Sequence, residues 1–212
     1  MSTLFRLDAS INPANSSSRV IADIVEAEWQ AENPEGTIVR RNLGTEPLPS
    51  TAWTGALAAS WTPEDARTAD QRAALSLAAA QADELRSADA VLLAVPLYNF
   101  GIPQHVKAWI DVVIAGAKSS NEALLEGKPA VLVVVRGGAY GPGTPREGWD
   151  HSTDYLRRIL ADVWKADLTV VEREFTLVGV NPALDGFKDL AAQLKDAAHA
   201  AAAAAGKALA TA

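Results

Sequence analysis

The run Ala90-Val91-Leu92-Leu93-Ala94-Val95 contains no polar side chain and is closed by Pro96. Such a run reads as a strand buried on both faces, as strands are in a parallel sheet covered by helices on either side. The rest of the chain alternates in a matching way. Residues 3–8, 37–43, 130–135 and 168–178 read as further strands, the second and last polar enough to suggest sheet edges. Between them lie helical stripes. Val20, Ile24, Val25 and Trp29 mark one, and Leu75, Ala78, Ala82 and Leu85 mark another across residues 63–87. Val106, Ile110, Val113 and Ala117 follow Pro103, while Leu156, Ile159, Leu160 and Val163 precede the last strand. An Ala-rich stretch, 184–209, closes the chain as a long helix, with Phe187, Leu190 and Leu194 as its expected core face. Residues 44–62, with their Pro and Trp, read as an irregular connector.

Five strands alternating with helices predict an α/β fold, a doubly wound five-stranded parallel sheet with right-handed crossovers. We expect the flavodoxin-like order 2-1-3-4-5. At 212 residues and 49% hydrophobic, the chain suits one domain spanning 1–212. In that order the loops after Asp8 and after Pro96 flank one crevice at the topological switch point, where ligands bind in open parallel sheets.

Composition narrows the chemistry. Without cysteine, disulfides, thiolate metal sites, Fe–S clusters and cysteine nucleophiles are excluded, so redox chemistry requires a bound cofactor. A net charge of -7 without clustered Lys and Arg argues against a nucleic-acid partner. No apolar run approaches a membrane span and no basic stretch precedes an apolar segment near Met1, so a soluble, cytoplasmic protein is expected. His105, His151 and His199 lack metal-ligand spacing, and no Gly-x-Ser-x-Gly, Gly-x-Gly-x-x-Gly or P-loop pattern occurs.

Three loops remain. Pro96, Leu97, Tyr98, Asn99 and Phe100, with Gly101, offer an aromatic pair, an amide and a glycine at a strand's carboxyl end, a setting for a flat flavin ring. Ser10, Ser16, Ser17 and Ser18 surround the start of the first helix, where hydroxyls, free N–H groups and the helix dipole form a phosphate cradle. A helix cap uses one serine, and four within nine residues leave three for a ligand. Arg136, Gly137 and Gly138 end the fourth strand, the glycines giving bare backbone and the Arg a charge to offset a reduced flavin. Tyr140, Gly141, Pro142, Gly143, Trp149 and His151 then form a loop that overhangs the site, in which His151 is a candidate proton donor.

The combination of Asp8-Ala9-Ser10, Ser16-Ser17-Ser18, Pro96 to Phe100 with Pro103, Lys107, Trp109 and Asp111, and Arg136-Gly137-Gly138 resembles the FMN-dependent NADH:azoreductase and quinone reductase family over nearly the whole chain. The resemblance implies a homodimer with FMN near the interface and two-electron, ping-pong reduction of quinones or azo compounds by NADH or NADPH. By position, Ser10 and Ser16 to Ser18 would hold the FMN phosphate, Leu97 to Phe100 the ring and ribityl region, and Arg136 to Gly138 the pyrimidine edge. Two features depart from the pattern. Residues 116–122 run quickly to the fourth strand where family members carry a longer aromatic insertion beside the substrate, and Val135 stands where a hydroxyl residue often precedes Arg-Gly-Gly. A flavin reductase feeding a partner and a one-electron carrier of flavodoxin type are the alternatives. Trp53 and Trp61 of the connector either roof a neighbouring subunit's pocket, the reading favoured for a long irregular segment, or anchor the loop.

Overall fold

The computed structural model describes residues 2–211. Its strands are β1 (Thr3–Asp8), β2 (Thr37–Asn42), β3 (Ala90–Pro96), β4 (Pro129–Val135) and β5 (Asp167–Arg173). Its α-helices are α1 (Ser17–Glu32), α2 (Ala52–Ser60), α3 (Ala69–Ser87), α4 (Gln104–Gly116), α5 (Thr153–Arg157) and α6 (Lys188–Thr211). The strands form one sheet in the order β2-β1-β3-β4-β5, every neighbour parallel. That is the order expected from the alternation of apolar runs and stripes.

The apolar run of β3 is central and buried throughout. Successive side chains of a strand point to opposite faces, so Val91, Leu93 and Val95 join one core cluster and Leu92 and Ala94 another. On the first face they meet Leu85 of α3, Trp109 and Ile110 of α4 and Leu156 of α5. On the second they meet Ile21, Val25 and Trp29 of α1 and Ala202 and Leu209 of α6. Each fully buried Leu contributes about 1.5–3 kcal/mol over its exposed state.

Four sequence expectations are corrected. The connector 44–62 contains α2, whose Ala52, Ala56 and Ala59 are buried. Small residues at helical spacing pack close, as Ala52 and Ala56 do against Ala78 and Val112, but give no stripe of large side chains to read. The helix expected from residue 63 is interrupted, because Arg67 is extended and Thr68 caps α3 through a reciprocal box with Gln71. The last strand ends at Arg173 rather than 178, since Phe175 takes a left-handed φ of 55° that an extended strand does not allow. Finally, Phe187 and Leu190 do not form a core face: they are 44% and 42% exposed, and the buried face of α6 is Ala191, Ala198, Ala202, Ala205 and Leu209. Alanine and Gly206 let α6 approach α1 so closely that a Cβ on Gly206 would fall 2.5 Å from the carbonyl oxygen of Val25.

Candidate functional site

At the carboxyl ends of β1 and β3 the chain departs to opposite sides of the sheet, α1 on one face and α4 on the other, which opens a crevice between the two loops. The β1 loop is built around hydroxyls. Ser10, Ser16 and Ser18 are buried and Ser17 is half-buried. Ser16 is the N-cap of α1: its Oγ accepts the Arg19 N–H at 3.2 Å and lies 3.1 Å from Ser18 Oγ. Ser10 Oγ accepts the Asn12 N–H at 3.3 Å. The N–H groups of Ser17 and Ser18 precede any intrahelical acceptor and stand at the positive end of the helix dipole.

Two contacts tie this loop to the neighbouring strand's exit. Tyr98 Oη accepts the Ile11 N–H at 3.2 Å, and His105 Nε2 lies 2.8 Å from the Ala9 carbonyl oxygen. Tyr98 and Gly101 exchange both backbone hydrogen bonds, at 3.2 and 3.0 Å, around Asn99 and Phe100 at φ 48° and 68°. Two successive left-handed residues make a type I′ turn. Asn tolerates that conformation, but Phe pays of order 1–2 kcal/mol for it. The turn presents the Phe100 ring, 40% exposed, to the crevice.

The third loop leaves β4. Gly138 is buried, and the N–H groups of Gly137 and Gly138 make no hydrogen bond among the described residues, while their carbonyls accept from Leu177 and Phe175. A Cβ on Gly137 would lie 2.6 Å from Leu177 Cδ1, so residues 174–177 pass close to it. Arg136 turns away from this edge. Its buried guanidinium donates to Asp150 at 2.7 Å, Glu172 at 3.1 Å and Thr153 Oγ1 at 3.0 Å. Burial works against this cation, yet the carboxylates of Glu172 and Asp150 hold its pKa above the usual arginine value. Burial likewise opposes ionised Asp150, but hydrogen bonds from Thr153, Ser152 and Arg136 keep its carboxyl below the usual range. The Arg136 charge is therefore balanced internally and pins the 139–152 loop to the sheet.

The loops after β3 and β4 border a cleft of ≈ 990 Å³ lined by Leu97, Asn99, Phe100, Gly137 and Gly138 from the sequence-predicted set. That is ample for a cofactor-sized ligand. The Gly-Pro loop overhangs it as expected, with Tyr140 to Arg146 in its wall. Ser10, Ser16, Ser17, Ser18, Pro96, Tyr98 and Arg136 are not among the residues that line it. His151 is held near Phe100 only through its backbone, N–H to carbonyl at 2.9 Å, with its ring exposed and outside the lining. Sequence reasoning missed Arg146, Glu174, Phe175, Leu177 and Phe187. Glu174 anchors the loop by accepting the Tyr140 N–H at 2.7 Å. The aromatic and acidic residues after β5 read locally as strand, which concealed them.

The residues suit a flavin mononucleotide. The backbone N–H groups of Ser17 and Ser18, beside the buried hydroxyls of Ser16 and Ser18, and those of Gly137 and Gly138 in the cleft wall have no partner among the described residues, and unpaired donors of this kind are costly unless a ligand or water meets them.

A family model described as a flavodoxin-like fold matches residues 2–206. The FMN-dependent NADH:quinone oxidoreductase of Frankia casuarinae is 39% identical over 206 residues, 95% of this chain and 97% of its own. That of Streptomyces avermitilis is 37% identical over 213 residues, 99% of this chain and 98% of its own. An azoreductase from Bacillus anthracis superposes with a TM-score of 0.79 over 98% of this chain and 100% of its own, at 21% identity, a likeness of fold. The cradle at the switch point and the close relatives agree, and the chain belongs to the flavodoxin-like family that contains the FMN-dependent NADH:quinone oxidoreductases.

Proposed function

We propose that this protein is an FMN-dependent oxidoreductase that takes electrons from NADH or NADPH and reduces quinones, and azo compounds as a second acceptor class. It works as a cytoplasmic homodimer of single flavodoxin-like units. The observation that carries the reading is that the buried Gly138, whose N–H has no partner among the described residues, lines the same cleft as the left-handed Asn99-Phe100 turn. The relatives' shared name supports it.

Bound FMN supplies the two-electron chemistry that no side chain of a cysteine-free protein provides. Ser10, Ser16, Ser17 and Ser18 hold its phosphate with the first turn of α1. Leu97, Tyr98, Asn99 and Phe100, behind Pro96, form the ring's wall, and the Gly137 and Gly138 N–H groups stabilise negative charge at its edge. The protein's own contribution is positioning: donor and acceptor stack in turn on one exposed face of the cleft. Arg136 acts through its hold on Asp150 rather than by touching the ring, and His151 is not assigned a proton transfer. Trp53 and Trp61, 43% and 80% exposed, are available to a neighbouring subunit.

The test is an FMN and FAD titration followed by anaerobic reduction. FMN binds more tightly than FAD, NADH or NADPH bleaches the visible absorbance before any acceptor is added, and a quinone restores it with parallel double-reciprocal lines. Replacing Ser16 and Ser18 by Ala weakens FMN binding by about tenfold or more per lost charge-assisted hydrogen bond, with the circular dichroism unchanged. Equal or tighter FAD binding, or bleaching that waits for the acceptor, refutes the reading.

A further inference from the structure

Arg146 stands in the cleft wall on the stretch between β4 and α5. Its Cζ lies 5.9 Å from the centroid of Phe100 and 5.7 Å from that of Tyr140, and its Nη1 donates to Tyr140 Oη at 3.3 Å. The two rings are themselves 6.4 Å apart and tilted by 56°, so they brace the guanidinium from two sides. Trp149 packs edge-on against Phe100 at 5.4 Å and closes the aromatic frame. The same Nη1 hangs over Gly138, 3.4 Å from where a Cβ would stand. The side chain is exposed, so the cation stands at the solvent-facing mouth of the cleft, where the two rings and the Tyr140 hydroxyl hold it.

The other arginine of this region, Arg136, is consumed by Asp150 and Glu172, whereas Arg146 makes no ion pair among the described residues. In a protein of net charge -7, an anionic ligand approaches against the overall field and needs a local cation. Leu97, Phe175, Leu177 and Phe187 give the cleft around Arg146 an apolar wall. A guanidinium fork braced by two rings beside an apolar wall matches a flat aromatic body bearing a planar or tripodal oxyanion. Two carboxylates stand close by, Glu174 in the same wall and Glu147 on the Gly143 N–H at 2.8 Å. They make the surroundings unsuited to a multiply charged phosphate and favour a single negative charge.

We propose that Arg146 is a specificity-determining residue that binds the anionic substituent, a sulfonate or carboxylate, of the flat aromatic acceptor. The assignment rests on the oxidoreductase reading above. It makes the protein selective for acidic quinones over neutral ones of the same ring system.

The experiment uses the FMN-loaded protein, a neutral naphthoquinone and its sulfonate. Arg146→Met lowers the ratio of kcat/KM for the sulfonate to that for the neutral quinone by about tenfold or more, and Arg146→Lys keeps much of that ratio. Added salt lowers the ratio in the parent protein and leaves it flat in Arg146→Met. Equilibrium binding of the sulfonate to the oxidised protein, followed by tryptophan fluorescence without turnover, weakens in parallel. An unchanged ratio in Arg146→Met overturns the proposal, as does an equal loss with both acceptors. Loss of FMN affinity would assign the cation to the cofactor, and a change confined to NADPH relative to NADH would assign it to the donor; either result also overturns it. A parent protein that binds the sulfonate through Arg146 but reduces no quinone upholds the anion site and refutes the oxidoreductase reading alone.

Discussion

Phe100 concentrates the site's tension between folding and binding. A β-carbon in the left-handed region is disfavoured, yet the turn from Tyr98 to Gly101 places Phe100 at φ 68° directly after Asn99 at φ 48°. Glycine would fit the backbone better but would remove the ring that meets Tyr140, Trp149 and Arg146. At ordinary positions Ala is more stabilising than Gly because it restricts the unfolded chain. Here the order reverses. Both Phe100→Ala and Phe100→Gly lose the ring, and only Gly relieves the turn, so the Gly variant melts roughly 2–4 °C above the Ala variant, a difference of about 1 kcal/mol. Both variants lose acceptor kcat/KM. Thermal unfolding of the pair decides it, and a Gly variant less stable than the Ala variant would mean the turn carries no strain. The Tyr98-Asn99-Phe100 loop was legible in the sequence because a polar-aromatic segment follows an apolar strand. The partners of Arg136 were not: Asp150 and Glu172 are 14 and 36 residues away and meet it only in the folded chain.

Strands were legible because an apolar run buried on both faces admits few other readings, and β1 begins and ends where its pattern predicts. Helices whose contacts are made by alanine were not, as α2 and the buried face of α6 demonstrate. Their packing depends on absent side chains, which leave no large apolar stripe. Junctions between elements depend on pairs that no local pattern announces. Arg86 near the end of α3 holds Glu122, on the short passage from α4 to β4, through Nε at 2.7 Å and Nη2 at 3.0 Å. The same carboxylate accepts the Lys118 N–H at 2.5 Å. The hydrogen bond from Arg86 is the main cause that lowers Glu122 to about 2, against the opposing effect of burial. A carboxyl depressed on folding stabilises the protein above its unfolded pKa and loses that contribution as pH falls through the folded value. Glu122→Gln therefore costs about 1–2 kcal/mol at neutral pH. Its deficit relative to the parent shrinks as pH falls from 4.5 towards about 2. Urea unfolding across that window checks this, and a constant deficit would show that the pair does not titrate with folding.

At the scale of the whole molecule, the mouth of the cleft is bordered by exposed apolar side chains. Around its mouth Trp149, Leu177, Phe187 and Leu190 are 50%, 45%, 44% and 42% exposed, and Val180 nearby is 74% exposed. Large apolar side chains gathered at one place are unusual on the surface of a monomer and mark a surface that is covered in use. Phe187, Leu190 and Leu194, expected from the sequence to face the core, instead form the wall of the cleft on the side away from the sheet. They were legible as a hydrophobic stripe, but their destination was not, because Ala198, Ala202 and Ala205 already fill the contact with the sheet and α1. The occupant proposed for this rim is a second copy, whose approach would wall off the donor and acceptor from water. A stable interface of this kind buries roughly 800 Å² on each partner. Sedimentation of the FMN-loaded protein then gives a dimer, and Val180→Glu combined with Leu190→Glu gives a monomer. Two buried charges without partners are incompatible with an apolar interface, whereas both positions are solvent-exposed in the single chain, so helical circular dichroism is retained. Turnover falls in step with the dimer fraction as the parent protein is diluted, because the half-site of a lone chain leaves the cleft open. A parent protein that sediments as a monomer at full specific activity would refute the shared-rim account and return the apolar wall to the acceptor alone.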